Sequence, residues 1–398
     1  WASSWLWPEA VFNGFDDACF DKSTGKIRLD QNPELSYYYP TRVLVTAPEI
    51  LFFWVARMII AGYEYLDKKP FEDVYLTGIV RDKLGRKMSK SLGNSPDPLD
   101  LIKTYGADGV RTGMLFSSPA GNDLLFDEKL CEQGRNFANK IWNAFRLVKG
   151  WTTVNHPQPE ENKVATDWFE SRLNNGIAEL NDHFAKYRMS DALMSVYKLI
   201  WDDFCSWYLE IIKPEYGKPI DTETYQRTVE FFEAVLKLLH PFMPFITEEL
   251  WSELRERKPG ESIVVAEWPA SGQTQNDLLE EANHAFAVVS EVRNVRSSKG
   301  LSPREALPLF VKDGQARLIN TFWPVVKKLA NLSEVNPVTE KVGQATSFLV
   351  KSTEFYITLG GKVDVEKERE ALTKELDYQR GFLASCEKKL SNERFVAG

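Results

Sequence analysis

The chain has 398 residues and a net charge of −8 at pH 7, with 49 Lys and Arg against 57 Asp and Glu. Because 43% of its residues are apolar and 13% are aromatic, the composition excludes an intrinsically disordered protein, and the length favours roughly two to four domains. The acidic total argues against a protein that coats a polyanion without specificity, although a local basic patch can still bind phosphates.

No membrane span, zinc site or disulfide framework is indicated. The longest apolar run, ILFFWVA at 50–56, ends at Arg57, well short of the roughly 20 residues that a spanning helix needs. The four cysteines are scattered, with no C-x-x-C spacing and no nearby histidine, which favours a reducing cytoplasm. The first residues, WASSWLWP, include no initiator methionine and no leader pattern, so we expect an excerpt of a longer protein.

Residues 1–125 are predicted to form part of a doubly wound α/β sheet. Runs of β-branched and aromatic residues predict strands at 41–46 (TRVLVT) and 73–80 (DVYLTGIV), with a helix between them. Ligands of such sheets bind at the carboxyl ends of the strands. Two candidate loops, 46–50 and 81–93, are predicted to lie at that edge.

The start of the helix between these strands is marked by a capping motif. Thr46 and Glu49 have the T-x-x-E spacing of a capping box, in which each side chain accepts a hydrogen bond from the other residue's backbone. Pro48 lies in the first turn, where its missing N–H costs nothing. The pattern predicts Thr46 as the N-cap of an α-helix.

Residues 126–272 are predicted to form a helical bundle. Long helical periodicity predicts helices in four segments, at 127–150, 164–186, 189–212 and 222–240. The segment HPFMPF at 240–245 interrupts the last of these before ITEELWSEL resumes. One apolar row recurs at helical spacing and is predicted to be core: Ile200, Phe204, Trp207, Tyr208 and Ile211.

Residues 273–362 are predicted to form a small α/β domain. One helix and two strands are predicted there, at 277–298, 307–311 and 348–359. In the tail, 363–398, apolar residues follow alternating steps of four and three, which is the spacing of a coiled coil. The tail is therefore predicted to be the first helix of a coiled coil.

The segment GRKMSKSLGN at 85–94 packs three cations between two glycines on an acidic chain. Neither the P-loop pattern G-x-x-x-x-G-K-[ST] nor a G-x-G-x-x-G after a strand is present. Lysines on a glycine-flanked loop can neutralise the charge that develops as pyrophosphate leaves a triphosphate. The alternative is a solvated basic turn, which is the commoner role of such a charge run.

Four separated segments resemble one protein family, in the family's order. KMSKS at 87–91 follows a predicted strand and resembles the second signature of the class I aminoacyl-tRNA synthetases. Segments at 97–111, 135–146 and 240–251 are similar to the subgroup for branched aliphatic amino acids, valine most of all. The resemblance implies a partial Rossmann-like catalytic fold, an anticodon-binding helical bundle, a small junction domain and a truncated coiled-coil arm. It also implies ATP with Mg²⁺, valine and the valine tRNA as substrates, a monomer, and no metal bound by these residues.

The resemblance further assigns an ATP site. Lys87 and Lys90 correspond to motif lysines that contact the phosphates, and Lys90 is the stronger candidate. The backbone at 78–80 corresponds to the segment that receives adenine, with a plain buried strand as the alternative, and Glu49 corresponds to an acidic residue that reaches the ribose. The family more often has Gly-Tyr-Asp at 47–49, which favours the capping role for Glu49 here. The residues implied to bind ATP are Glu49, Gly78, Ile79, Val80, Lys87, Ser89 and Lys90.

Trp1, Ile50 and Trp54 are implied by the resemblance to form the amino-acid pocket. Ile50 and Trp54 are four residues apart and share a face of the predicted helix. An apolar slot with flat aromatic walls suits a small branched side chain, with the tryptophans as walls and Ile50 limiting the depth. Periodicity alone favours a core face of this helix instead.

Contacts to tRNA are implied for Arg135, Asn136 and Lys140, which lie near one face of a predicted helix. RNA recognition generally uses stacking and hydrogen bonds to unstacked loop bases, and such a face can provide both. The alternative for these three residues is an ordinary solvated helix face.

The four histidines form no H-x-x-H pair, so the family's first signature, which completes the ATP site, is absent, as is the subgroup's inserted editing domain. Alone, this chain is therefore expected to show negligible aminoacylation, because ATP and valine would not be held in register. Three rival interpretations stay open: an isoleucine or leucine enzyme of the same subgroup, a non-catalytic tRNA-binding module, and another nucleotidyltransferase of the same superfamily.

Overall fold

The structure is a computed structural model, and it describes residues 2–117, 122–312, 319–343, 345–358 and 365–391. The chain divides into two compact units, Trp1–Gln158 with Phe169–Thr274, and Pro159–Trp168 with Gln275–Gly398. The predicted sheet domain and most of the predicted helical bundle lie in the first unit, and most of the predicted junction domain, with the tail helix, lies in the second. The boundaries of the four domains stay predictions.

Short elements precede the parallel strands. They are α1 (Ala2–Trp5), α2 (Trp7–Val11), the antiparallel pair β1 (Phe20–Asp21) and β2 (Lys26–Ile27), and α3 (Pro33–Tyr38). Asn32 caps α3 because its side-chain oxygen accepts a hydrogen bond from the Leu35 N–H at 3.0 Å. The small core of this region consists of Ile27, Leu35, Tyr39 and Leu66.

The strand predicted at 41–46 is confirmed as β3 (Thr41–Thr46), which pairs in parallel with β4 (Phe71–Leu76). The register places Thr41 opposite Phe71 and Thr46 opposite Leu76, so both strands end at the same edge. A parallel pair requires a crossover connection, and the segment between these strands supplies it.

The capping box predicted at Thr46 and Glu49 is wrong. The N-cap is Ala47, and Thr46 ends β3, where its backbone oxygen accepts a hydrogen bond from the Thr77 N–H. Glu49 does not fold back onto the Thr46 N–H, because its carboxylate pairs with the ammonium group of Lys87. The crossover consists of a 3₁₀ turn (Pro48–Ile50), a π-helical segment (Leu51–Val55) and α4 (Ala56–Leu66).

The strand predicted at 73–80 is divided in two. β4 stops before the end of that range, and β5 (Val80–Arg81) forms a separate parallel pair with β6 (Leu124–Leu125). Between them, a Cβ atom added at Gly78 would lie 1.7 Å from the carbonyl oxygen of Asn122. The backbones of Gly78 and Asn122 therefore approach closely between the pairs β3–β4 and β5–β6. Apolar periodicity gives no sign of such a contact, so it predicted one continuous strand.

Three helices lead from the strands into the bundle, and the third of them is its first helix. They are α5 (Pro98–Tyr105), α6 (Ala107–Phe116) and α7 (Glu128–Lys149). Helices α6 and α7 cross at backbone contact, because Gly109 and Gly113 of α6 face α7 and Gly134 of α7 faces α6. A Cβ atom at Gly134 would lie only 2.5 Å from the Gly109 carbonyl oxygen. Close packing of this kind makes the first unit continuous from the sheet to the bundle.

The remaining helices predicted for the bundle are confirmed. They are α8 (Glu160–Ala185), α9 (Met189–Lys198) with its π-helical continuation (Leu199–Tyr208) and α10 (Leu209–Ile212), α11 (Thr222–Leu239), and α12 (Pro244–Leu254). A short parallel pair, β7 (Thr153–Val154) and β8 (Ile220–Asp221), lies beside them. Ile200, Phe204, Tyr208 and Ile211 are buried as predicted, whereas Trp207 is only half-buried.

The second unit contains a four-stranded sheet in the order β10–β9–β12–β11, with only the β10–β9 pair parallel. Its elements are α13 (Asn276–Ser298), β9 (Leu307–Lys312), α14 (Trp323–Ala330), β10 (Leu332–Val338), β11 (Ala345–Val350), β12 (Thr353–Thr358) and α15 (Val365–Leu390). The single strand predicted at 348–359 is therefore a hairpin of two strands. Helix α15 covers the predicted tail helix, and its pairing in a coiled coil stays a prediction.

Candidate functional site

The loop of residues 82–94 follows β5 and carries the KMSKS segment. Its two turns contain glycines with positive φ, +75° at Gly85 and +61° at Gly93, a backbone conformation that glycine adopts without a steric penalty. Ser89 starts a 3₁₀ turn, Lys90–Leu92, and its hydroxyl accepts a hydrogen bond from the Leu92 N–H at 3.3 Å. Both lysines of the motif are exposed on this loop, Lys90 in the 3₁₀ turn and Lys87 before it.

The two lysines of the motif have different surroundings. The ammonium group of Lys87 lies 2.7 Å from a carboxylate oxygen of Glu49, and the two side chains are 57% and 52% exposed. Lys90 is exposed, and no carboxylate in the described part of the chain forms an ion pair with it. Lys90 is therefore the cation that can meet an anionic ligand without first breaking an ion pair.

The segment implied to receive adenine is held by β6. The Ile79 N–H donates to the carboxylate of Asp123 at 3.1 Å, and the Ile79 carbonyl oxygen accepts from the Leu124 N–H at 2.9 Å. Arg81 also pairs with Asp123, and its hydrogen bond is the main reason that the pKa of Asp123 is lowered. Both backbone polar groups of Ile79, which lies between Gly78 and Val80, are thus already hydrogen-bonded within the protein.

An apolar cavity of about 520 Å³ adjoins this segment. On the sheet side it is lined by Val43, Val45, Tyr75, Thr77, Gly78 and Val80. Tyr187 and Met189, from the start of the α9 region, line it on the bundle side. The Tyr187 hydroxyl donates to Asp73 at 2.7 Å, and this hydrogen bond is the main cause of the raised pKa of Tyr187. Sequence reasoning missed this cavity, because its two sides are more than a hundred residues apart.

Of the three residues implied to form the amino-acid pocket, the two that the structure describes, Ile50 and Trp54, do not line one cavity. Trp1 lies outside the described residues. Trp54 lines a cavity of about 540 Å³ that also contacts Thr41 and Phe71, the first residues of β3 and β4. Ile50 follows the opposite end of β3, is 40% exposed, and does not line this cavity. The predicted shared face is wrong because the chain from 48 to 55 is 3₁₀ and then π-helical, so α-helical spacing does not apply.

The three residues implied to contact tRNA lie on α7, and each has a partner within the protein, the Asn136 side-chain oxygen accepting a hydrogen bond from Arg135 at 3.4 Å. Arg135 donates to Glu132 at 3.1 Å and lies 5.7 Å from the ring centre of Tyr105. Lys140 lies 5.4 Å from the ring centre of Trp201. Asn136 is exposed. These contacts fit the solvated helix face as well as they fit an RNA contact.

A recess at the far end of α7 was missed by the sequence reasoning. Its volume is about 540 Å³, and its lining includes Arg146, Trp151, Lys213, Tyr216 and Lys218. Tyr216 is fully exposed at 106% of its reference area. The available signal was the turn KPEYGK at 213–218, which places an aromatic ring between two lysines.

Helix α6 holds the segment that joins α11 to α12. Asp108 accepts hydrogen bonds from the N–H groups at 245–246, at 3.3 and 2.7 Å, and Arg111 donates to the carbonyl oxygens at 241–242, both at 3.2 Å. Burial raises the pKa of Asp108, and the two N–H donors oppose that shift. The negative charge of Asp108 thus lies at the positive start of α12, and the positive charge of Arg111 lies at the negative end of α11. We call these two residues the clamp.

His240 follows α11 in this clamp, with Nδ1 2.7 Å from the Thr247 hydroxyl oxygen. Burial is the main cause that lowers its pKa, and the carboxylates of Glu248 and Asp108 oppose it. Because the neutral ring is favoured in the folded state, its stabilising contribution is complete above the unfolded-state pKa of 6.5 and is lost as the pH falls through the lower folded value.

Lowering the pH from about 7.5 to about 5.5 should therefore lower the Tm of the unaltered chain more than that of His240→Gln.

Scanning calorimetry at both pH values checks this prediction. The variant His156→Gln, which changes an exposed histidine, serves as the control and should follow the unaltered chain. Equal Tm shifts in the unaltered chain and in His240→Gln would show that His240 does not link stability to pH.

Two family models match the chain. The model for "tRNA synthetases class I (I, L, M and V)" matches residues 10–127, and the "Anticodon-binding domain of tRNA ligase" matches residues 166–311. The first range contains the parallel pairs β3–β4 and β5–β6 and the KMSKS loop, and the second contains most of the bundle. The chain belongs to the class I tRNA synthetases.

Curated relatives of this synthetase chain include proteins that carry the name valine–tRNA ligase. The protein from Christiangramia forsetii is 55% identical over 397 residues, and that from Phocaeicola vulgatus is 54% identical over 397 residues. Each match covers 100% of this chain and 44% of the relative, so the synthetase chain spans a little under half the length of these proteins. Among solved structures, the ternary complex of Agrobacterium radiobacter LeuRS with tRNA and LeuAMS matches with a TM-score of 0.46 and 19% identity, covering 71% of this chain and 33% of that one.

These matches confirm the family predicted from the KMSKS segment. Within the described ranges of this synthetase chain, no helix is both long and apolar enough to cross a membrane. Those ranges also contain no group of three or more His, Cys, Asp or Glu side chains arranged to hold a metal ion.

Proposed function

We propose that the chain is part of a valine–tRNA ligase, which activates valine with ATP and transfers it to tRNA(Val). The observation that carries this proposal is the exposed Lys90, on a loop that follows the parallel strands, in a chain 55% identical to a valine–tRNA ligase over its whole length. Membership of class I supports ATP as the activating substrate, and the anticodon-binding match supports tRNA as the partner.

In the activation step, a valine carboxylate oxygen attacks the α-phosphorus of ATP, and the bond from that phosphorus to the bridging oxygen of pyrophosphate breaks. Negative charge accumulates on the departing pyrophosphate, which Mg²⁺ accompanies as part of the substrate. A positioned ammonium group stabilises that charge more strongly than water does, because it does not have to reorganise. In our proposal, Lys90 supplies this stabilisation.

Lys87 reaches a phosphate only after it leaves Glu49. Both side chains of the pair are more than half exposed, and exposed ion pairs contribute only about 0–1 kcal/mol. ATP phosphates can therefore displace Glu49 at little cost. The freed carboxylate is then available to a ribose hydroxyl, the role that the family resemblance implies for this position.

The recess at the end of α7 is proposed to bind unstacked bases of tRNA. Arg146, Lys213 and Lys218 supply cations for phosphates, and Trp151 and Tyr216 supply rings on which bases stack. Glu215 is part of the same lining and offers an acceptor for base amino groups. This combination fits a single-stranded loop better than a duplex, because duplex bases do not expose their faces.

The variant Tyr216→Ala should weaken binding of tRNA(Val) to this chain roughly tenfold, because base stacking on an aromatic ring contributes about 1–3 kcal/mol. Filter binding or fluorescence anisotropy at a fixed salt concentration measures the change. Tyr37→Ala, which removes another exposed tyrosine from the same unit, is the matched control. If Tyr216→Ala and Tyr37→Ala bind tRNA(Val) with equal affinity, the proposal that the recess binds RNA is wrong.

The proposed activity is tested with the full-length enzyme that contains this chain, by amino-acid-dependent exchange of pyrophosphate into ATP. We expect exchange with valine, much slower exchange with isoleucine and leucine, and negligible exchange by this chain alone. Faster exchange with isoleucine or leucine would contradict the assignment to valine. If the exchange rate of this chain alone equals that of the full-length enzyme, the expectation that this chain carries only part of the ATP site is wrong.

A further inference from the structure

A carboxylate at the base of the KMSKS loop organises the first turn of that loop. Asp82 Oδ1 accepts hydrogen bonds from the N–H groups of Leu84 and Arg86, at 3.0 and 2.9 Å. Its Oδ2 accepts from Arg86 Nε at 2.8 Å and from Asn94 Nδ2 at 2.9 Å. These donors hold the pKa of Asp82 well below its usual range, with the Asn94 amide as the largest cause, so the carboxylate is ionised at neutral pH.

The side-chain amide of Asn94 links the two ends of the motif. Its oxygen accepts a hydrogen bond from the Ser89 N–H at 2.9 Å. Its nitrogen donates to the Lys87 carbonyl oxygen at 3.3 Å, in addition to Asp82. One amide group therefore holds the backbone of Lys87 and the residue that precedes Lys90.

Apolar packing cannot fix this loop by itself. Leu84 and Leu92 are 77% and 61% exposed, and Met88 is the loop residue that packs against the core formed by Leu124, Phe126 and Cys131. An exposed loop with a single apolar anchor keeps its conformation only if its polar groups are satisfied locally. Asp82 and Asn94 satisfy them on both sides of the motif.

We propose that Asp82 and Asn94 are positioning residues, which fix the backbone that carries Lys87 and Lys90 so that both ammonium groups reach one polyphosphate. The inference rests on the proposed function, because it assumes that these lysines bind phosphates. Neither positioning residue touches the ligand. Their effect is to reduce the conformational freedom that the loop would otherwise lose on binding.

The test uses this chain and inorganic tripolyphosphate, which has no ribose and no base, with affinity measured by calorimetry at several salt concentrations. Asn94→Ala keeps the net charge and both lysines, so it should weaken binding about five- to tenfold and leave the slope of affinity against salt unchanged. Lys90→Ala, by contrast, should weaken binding and also reduce that slope, because one phosphate contact is lost. The Tm of Asn94→Ala should stay within about 1 °C of the unaltered chain, since the loop is exposed.

Asn174→Ala is the matched control. The amide of Asn174 also bonds on both sides, accepting from the Gly272 N–H and donating to the Gln273 carbonyl oxygen, both at 3.0 Å, and it lies far from the motif in the sequence. It should leave tripolyphosphate affinity unchanged. Adding Asp82→Ala to Asn94→Ala should weaken binding no further than Asn94→Ala alone, because the two residues act as one clamp.

Each result has a definite meaning. If Lys90→Ala weakens binding and Asn94→Ala does not, the positioning role is wrong and the proposed phosphate role of the loop stands. A reduced salt slope for Asn94→Ala would also overturn the positioning role, because it would indicate a lost phosphate contact. If the unaltered chain does not bind tripolyphosphate, or Lys90→Ala binds it equally well, the phosphate role fails and the inference fails with it.

Discussion

Replacing Lys90 by alanine in the full-length enzyme should lower the rate of valine-dependent ATP–pyrophosphate exchange by roughly 100-fold. Removing one preorganised donor from a developing anion typically costs a factor of about 10² to 10³ in rate. Lys90 is exposed and forms no ion pair in the described part of the chain, so the whole of its charge is available to the phosphates. The rate at saturating valine and ATP is the quantity to measure, because the stabilised charge develops after binding.

Lys83→Ala is the control for this experiment. Lys83 lies on the same loop, is 70% exposed, and pairs with Asp127 at 3.5 Å rather than presenting a free ammonium group. We expect the control to retain the exchange rate within about twofold, since surface substitutions away from a site have small effects. A rate for Lys90→Ala equal to that of Lys83→Ala would contradict a role for the loop in activation.

Lys87 and Glu49 allow a second comparison, which is measured by ligand binding rather than by exchange. Glu49→Gln removes the carboxylate that pairs with Lys87 and keeps its shape. If Glu49 only competes for Lys87, tripolyphosphate binding becomes tighter; if Glu49 also reaches the ribose, ATP binding becomes weaker at the same time. The two ligands therefore separate the two roles of one carboxylate.

Elements with a strong local pattern were predictable from the sequence. Strand β3 has a run of β-branched residues, and helix α7 has 22 residues of regular apolar periodicity, and both form where predicted. The KMSKS segment was found as a local concentration of charge between glycines, and the structure places it on a loop after a strand. Each of these signals lies within a short window of sequence.

What the sequence did not reveal depends on residues that are distant along the chain. Glu49 and Lys87 are 38 residues apart, and their ion pair replaces the capping box that the local T-x-x-E pattern predicts. The misplaced Ile50 has a similar origin, because the tertiary packing of 48–55 imposes 3₁₀ and π-helical turns where periodicity predicts an α-helix. The bonds of Asn94 were overlooked because asparagine beside a glycine is also an ordinary turn residue.

The variant Gly134→Ala tests the crossing of α6 and α7, and it should lower the stability of the first unit by about 3 kcal/mol. The added methyl group would lie 2.5 Å from the Gly109 carbonyl oxygen and 3.0 Å from the Thr112 Cβ. Both neighbours belong to α6, where backbone atoms cannot rotate away as a flexible side chain could. Alanine favours a helix over glycine by about 1 kcal/mol, so a net loss of stability would come from the contact and not from helix propensity.

Thermal unfolding followed by circular dichroism should show a Tm lower by roughly 5–10 °C for Gly134→Ala. Gly381→Ala is the matched control, because Gly381 also lies inside a helix and a Cβ atom there would meet nothing within 4 Å. Its expected effect is a small gain or no change, as helix propensity alone predicts. An unchanged Tm for Gly134→Ala would mean that α6 and α7 can separate without cost. The clamp that Asp108 and Arg111 make from α6 onto the bundle would then be the principal connection between the sheet and the helices that bind tRNA in our proposal.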